Sequence, residues 1–237
     1  GRADAGYKLL KSSVLDGMYL GDSPGNFGQI SFYDAARGEC YRDFGDPIGV
    51  ASRVLIQGLF GILPDALNQQ IILRPGFPDD WDKASVSTPD INYRFTRKED
   101  TDTYHITQRF QTPLHPVLHV NARKEKIRSV KVNGVPATWQ SIESAHGYPL
   151  LSIQAEGTSS TTITIEWEGA PLHTLAVQEP VITSNGKLAL QIPSGASISQ
   201  VYDPQSVLAN HTVEATAFNA QIKGEPGHHT FFVYTHQ

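Results

Sequence analysis

In the heptapeptide TTITIEW, Thr161–Trp167, the six residues Thr162–Trp167 alternate polar and apolar side chains without a break. Ile163, Ile165 and Trp167 share one face; Thr162, Thr164 and Glu166 share the other. A period of two marks an antiparallel strand with one face on a core and one in water. It also places the indole of Trp167 inside. Working outward, similar short runs recur between turn residues at Asp90–Arg97, Tyr104–Phe110, Val117–Ala122, Ser129–Val132 and Leu150–Gln154. Val132-Asn133-Gly134-Val135 carries a hairpin signal, because an Asn-Gly pair tolerates the positive φ angles of a type I′ turn. The spacing predicts one β-sandwich over residues 76–170. Upstream, Gln70–Arg74 reads as a short strand, and Pro75, Pro78 and Asp79–Asp82 as a turn region.

Pro171 and Pro180 bracket a joint. Beyond it, Lys187–Ile192, Ser197–Tyr202, Val213–Phe218 and Thr230–Thr235 read as strands, with Asn185-Gly186 as a second hairpin turn. They are few, and predict a small C-terminal β-domain over 171–237.

The N-terminal 1–75 segment reads differently. A first helix is expected from Asp4 to about Leu15, stopped by Gly17. A long Gly-, Asp- and aromatic-rich stretch follows, from Met18 to Gly45. Then comes RDFGDPIGVASRVLIQGLFGILPD, Arg42–Asp65. Asp46 suits an N-cap and Pro47 the first helical position, while Gly61 and Pro64 stop the helix. Ile48, Ala51, Val54, Leu55, Leu59 and Ile62 mark one face; Val50, Phe60 and Leu63 widen it. A helix so apolar is expected to be buried on several sides. The fold class is therefore α+β and mostly β: a short helical segment packed on an antiparallel sandwich, followed by a small β-domain.

Composition excludes several functions. The net charge is −5, and the one basic run, Arg123-Lys124-Glu125-Lys126-Ile127-Arg128, is short and broken by an acid. It reads as a solvated turn, and no nucleic-acid surface is expected. A single cysteine, Cys40, rules out an internal disulfide. No stretch approaches the roughly 18 apolar residues of a membrane helix. The opening Gly1-Arg2-Ala3-Asp4, with no Met, is expected of a processed piece, so the lack of a signal peptide says little.

The order found here is an apolar helix, the step GILPD (Gly61–Asp65), a short strand and then a sandwich. It resembles the end of the (α/α) helical barrel in large bacterial glycoside hydrolases of the α-L-rhamnosidase-like kind. A narrower resemblance rests on DSPGNFGQ (Asp22–Gln29), GECYRDFGDP (Gly38–Pro47), LFGILPDAL (Leu59–Leu67) and the tail YDPQSVL…GHHTFFV. These are similar to an uncharacterised domain family of gut-bacterial polysaccharide-utilisation proteins. The resemblance implies a periplasmic or secreted bacterial protein associated with glycans. The helix would be the last of a barrel, covered by an upstream helical-barrel domain, by a partner subunit, or by the β-domains folding back over it.

Glycoside hydrolysis needs two carboxylates across the scissile bond. Among the N-terminal acids, Glu39 and Asp43 are the catalytic candidates, with Tyr19, Tyr41, Arg42 and Phe44 as sugar-contacting neighbours. The plainer readings are a cap for Asp46, turns for Asp22 and Asp34, and an Arg42–Asp43 ion pair. Sugar rings stack on exposed indoles, so Trp81, in an Asp-rich turn, and Trp139, after the hairpin, are binding candidates. Against this stands the ordinary fate of aromatics as core residues. His115/His119 and His228/His229 lack the spacing of a zinc site, and no metal is expected. There is no Gly-rich phosphate loop and no Gly-x-Ser-x-Gly elbow around Ser23, so no cofactor is expected either. The leading expectation is a non-catalytic C-terminal region that caps a helical barrel and shapes a glycan cleft. The alternatives are a stand-alone carbohydrate-binding module and a small glycosidase using the Glu39/Asp43 pair.

Overall fold

The computed structural model describes residues 3–20, 45–142, 148–172, 180–192 and 196–236, without the side chains of residues 17, 18, 20 and 45–48. The chain is mostly β, with short helices at its N-terminal end. It divides into two compact units, one of Gly1–His146 with Leu150–Pro171, the other of Gly147–Pro149 with Leu172–Gln237.

The first unit is a β-sandwich. One sheet has the order β1-β2-β6-β10-β9, from Ile62–Asp65, Gln70–Leu73, His115–Asn121, Leu150–Gln154 and Gln140–Ile142. The other has the order β3-β4-β5-β11-β7-β8, from Lys83–Ser87, Ile91–Lys98, Thr101–Gln108, Ser160–Pro171, Lys124–Val132 and Val135–Pro136. Every pair is antiparallel except β2–β6, which is parallel. Strands β1 and β2 thus enter the sandwich, although they fall within the N-terminal 1–75 segment. The alternation of β11 is realised as predicted: Ile163, Ile165 and Trp167 are buried against Ile71, Leu73, Leu118 and Ile153 of the opposite sheet's buried set. Asn133 and Gly134 both have positive φ, 52° and 81°, and Val132 pairs with Val135. That is the type I′ hairpin the Asn-Gly signal specifies.

A line of aromatic rings runs through this core. Phe77 stacks on Phe95 and on Tyr93, with centroids at 5.1 and 6.2 Å, and Phe60 meets Phe77 edge-on at 5.4 Å. Next to it sits a buried charge. Asp102 is 2 % exposed, yet its Oδ1 accepts from Arg97 Nε at 2.8 Å and Arg123 Nη1 at 3.1 Å. Its Oδ2 accepts from the Trp167 indole N–H at 3.0 Å. Arg123 opens the basic run expected as a solvated turn. Instead, Lys124–Val132 is strand β7, and Arg123 is fixed by the buried carboxylate that such a strand start can reach.

Among the described residues two helices precede the sheets: α1 (Ala3–Val14), continuing as a π-helical turn over Leu15–Leu20, and α2 (Gly45–Arg53), continuing as a π-helical turn over Val54–Leu59. Helix α2 begins at Gly45, so Asp46 lies inside it rather than before it. It ends as expected at Gly61, whose φ of +66° is the left-handed C-terminal cap that glycine permits. A side chain there would also run into the Arg74 carbonyl. The expected burial on several sides is not found. Leu59 and Phe60 are buried, but Val50, Val54 and Leu55 are 58, 42 and 39 % exposed. Among the described residues of the helix, Ala51 and Ile56 are half-buried, and α1 packs against the Val54–Leu59 turn.

The second unit holds a three-stranded sheet, β12-β15-β14 (Lys187–Gln191, Ala217–Ile222, Leu208–Val213), and a ribbon, β13-β16 (Ser197–Tyr202, Phe232–His236). They share a core of Leu188, Val207, Leu208, Phe218 and Ala220, packed by Ile198, Val201 and Phe231. Two expectations are corrected here. Residues 214–216, inside the expected strand Val213–Phe218, are the turn between β14 and β15, closed by Glu214 N–H to Ala217 O at 2.8 Å. Asn185-Gly186 leads into β12 and joins no paired strands; β12 pairs with β15.

Candidate functional site

The four N-terminal candidates Glu39, Tyr41, Arg42 and Asp43 lie outside the described residues, as do Phe44, Ser23 and Cys40. Tyr19 is exposed on the π-helical turn after α1. Trp81 is half-buried between Tyr7 of α1, edge-on at 4.9 Å, and Phe77 at 6.1 Å. It pins the first helix to the sandwich. Trp139 is 44 % exposed in the connection from β8 to β9. Trp81 precedes β3 and Trp139 follows β8, and these strands are opposite edges of one six-stranded sheet. At about 4.8 Å per strand the two indoles sit far apart and share no groove.

Two features of the first unit stand out. The first is the exposed flank of α2, where Val50, Val54 and Leu55 reach water. Beside the last turn lies a recess of about 210 Å³, walled by the apolar Ile56, Ile62, Pro64, Ile91 and Phe110 together with the polar Gln57, Thr88 and Asp90. Arg53 donates to Gln57 Oε1 at 2.7 Å, so its charge is held along the helix by an exposed amide.

The second is a cleft of about 480 Å³ at one end of the sandwich, within the usual size range of ligand sites. Its polar lining is Asn68, Gln69, Gln70, His115, Gln154 and Glu156; Val117, Val132, Val135 and Pro136 supply apolar wall. Local chemistry fixes the polar side. The Asp65 carboxylate accepts from Asn68 N–H at 3.3 Å and from its amide Nδ2 at 2.7 Å, capping the 3₁₀ turn Ala66–Asn68. Gln69 then takes a left-handed φ of 56° and turns the chain into β2. Its carbonyl accepts from His115 N–H at 2.8 Å, tying this turn to the start of β6.

His115 itself is oriented by the backbone. Gly157 N–H donates to its Nδ1 at 3.0 Å, so the neutral ring carries its proton on Nε2 and offers a donor there. Gly157 is required for that approach: a Cβ would come within 2.9 Å of the Pro113 carbonyl oxygen. Glu156 Oε2 stands 3.6 Å from the same Nδ1 and is exposed. No Lys or Arg lines the cleft among the described residues.

Asp102 is no rival to this cleft as a reactive carboxylate. Its oxygens accept three hydrogen bonds from Arg97, Arg123 and Trp167 and it is buried, so it has no access to substrate. Among the described residues no group of three His, Cys, Asp or Glu side chains could hold a metal. No helix among them is long and apolar enough to cross a membrane. No protein family, curated protein or solved structure matches the chain.

Sequence reasoning missed the cleft because its polar residues come from three separated turns: 68–70, the start of β6, and 154–156. Single Gln and Asn residues carry no spacing signal. Among the described residues, none of the catalytic or binding candidates named from the sequence lines the cleft.

Proposed function

We propose that this chain is the non-catalytic C-terminal region of a carbohydrate-active bacterial protein, and that its helices close one end of a helical barrel. One observation carries the reading. Helix α2 is locked to the sandwich at Leu59 and Phe60, while Val50, Val54 and Leu55 are exposed and a partly apolar recess lies beside its last turn. An apolar helix flank held rigidly in place is what a neighbouring barrel helix would pack against. Catalysis then belongs to the barrel, and the sandwich serves as its rigid base.

The test is the native form of the protein. Blotting source cells with an antibody to this chain is expected to show a product far larger than 26.0 kDa, or a stable complex of that size. A monomer near 26.0 kDa, or glycan hydrolysis by the isolated chain, would overturn the proposal.

A further inference from the structure

We infer that the cleft between the 68–70 turn, the start of β6 and the 154–156 segment is a binding subsite for an uncharged, polyhydroxylated ligand: one or two neutral sugar residues. The inference rests on the carbohydrate reading above for the class of ligand, and not on the docking of α2.

The chemistry of the lining selects this class. The donors and acceptors are primary amides, Gln70 and Gln154 with Asn68 and Gln69 at the rim, and one imidazole N–H. Each amide presents an acceptor and two donors side by side. That matches vicinal hydroxyls, which donate and accept in turn. The amides of Gln69, Gln70 and Gln154 make no side-chain hydrogen bond with other described residues, so they can bind without first breaking an internal partner. Asn68 is held through one amide hydrogen by Asp65, which orients its remaining groups. His115 contributes Nε2–H as a fixed donor, because Gly157 N–H occupies Nδ1.

Charge narrows the choice further. The lining holds one carboxylate, Glu156, and no cation. Phosphates, sulfates and uronates would meet repulsion with nothing to pair them. Glu156 is an acceptor for hydroxyls at the mouth. The apolar part of the lining, Val117, Val132, Val135 and Pro136, faces what a pyranose offers on its C–H side. The cleft is open at its mouth, so a chain end or an internal stretch of a longer glycan could sit in it.

The experiment is ¹⁵N-detected NMR of the whole chain titrated with cellobiose, mannobiose and galactobiose, with digalacturonate as the charged control. At least one neutral disaccharide is expected to shift the side-chain amides of Gln70 and Gln154 together with the Gly157 N–H, at millimolar affinity. Digalacturonate should bind at least tenfold more weakly. Gln70→Ala with Gln154→Ala should weaken the neutral ligand at least tenfold while the other backbone resonances stay in place, which shows that the fold is kept. Silence of these amides across the neutral panel overturns the subsite, as does equal or tighter binding of digalacturonate. Retention of the chain on a polysaccharide gel with shifts confined elsewhere, such as the exposed Tyr202, Phe232 and Tyr234 of the β13-β16 ribbon, overturns the subsite and leaves the carbohydrate reading standing. No retention and no shift overturns both.

Discussion

The sandwich core and helix α2 invert the ordinary rule of burial. The sandwich buries an ionised carboxylate, Asp102, at 2 % exposure, while α2 leaves Val50, Val54 and Leu55 in water. Full burial of a Val or Leu side chain is worth about 1.5–3 kcal/mol, so the helix forgoes a large part of that at each position. Stripping an unpaired carboxylate of water costs several kcal/mol. Asp102 escapes this because two guanidinium groups and an indole N–H surround it. Burial therefore follows the supply of partners and not hydrophobicity alone. The sandwich contains its own partners. Among the described residues of the helix, full burial is confined to its end, at Leu59 and Phe60.

The strongest way to break this contrast is Asp102→Ala. It leaves Arg97, Arg123 and the Trp167 indole turned toward a site with no acceptor. The expected loss is about 3–5 kcal/mol, measured as a fall in the denaturant midpoint. Asp102→Asn keeps an acceptor for the indole and should lose less. A loss below about 1 kcal/mol for the alanine variant would mean that water already reaches the pair, and the sandwich would not be the closed body described here.

How much of this contrast was visible in the sequence depends on how local its causes are. The period of Thr161–Trp167 and the Asn133-Gly134 turn are local, and both were read correctly, as was the helix stop at Gly61. The expected strand at Leu150–Gln154 matches β10 to the residue. Strand Val213–Phe218 was misplaced because Glu214-Ala215-Thr216 carries no Gly, Pro or Asn to announce a turn. Arg123 was taken for a surface residue because its partner, Asp102, is 21 residues away and on another strand. The expectation that so apolar a helix is buried on several sides is right about its chemistry and not about its burial, since a sequence shows that a segment is apolar and not what covers it. The cleft depends on three turns meeting in space, which no local pattern announces.

Within the sandwich one flaw sharpens the comparison. The Tyr93 ring packs against Phe60 and Phe77, and its hydroxyl is fully buried with no hydrogen-bond partner among the described residues. Burial pushes its pKa well above the ordinary tyrosine value. Deleting an unpaired buried hydroxyl removes a desolvation cost without losing a bond. Tyr93→Phe is expected to be neutral or to raise stability by about 1 kcal/mol in the same denaturant assay. A clear loss would show that the hydroxyl holds a partner such as a buried water.

A smaller effect is expected from His119. It lies on the face of β6 opposite Leu118 and Val120, where burial and the nearby Arg74 charge hold its pKa below the ordinary 6.5. The unfolded chain takes up a proton below about pH 6.5 that the folded chain resists. Stability should therefore fall as pH drops below that value, and His119→Asn should fall less over the same range. Equal slopes in thermal melts between pH 7.5 and 5.5 would assign the acid sensitivity to other groups.

The smallest expected change in stability bears most directly on the helix. Val54→Lys with Leu55→Lys replaces two exposed side chains on α2. Nothing in the folded chain packs fully on either, and lysine is the better helix former than valine. The change in unfolding free energy should stay within about 0.5 kcal/mol. Association is a different matter. If α2 is half of an interface, the unaltered chain should self-associate or bind a hydrophobic dye in isolation, and the double lysine variant should lose both behaviours at unchanged stability. A large loss of stability would mean the flank is already covered within this chain, and the contrast between the two regions would collapse. A dye-silent, monomeric parent chain would leave the helix exposed without consequence, and the barrel partner would lose its main support. The value of the variant lies in this separation: folding energy and association energy are carried by different residues of one helix, Leu59 and Phe60 for the first, Val54 and Leu55 for the second.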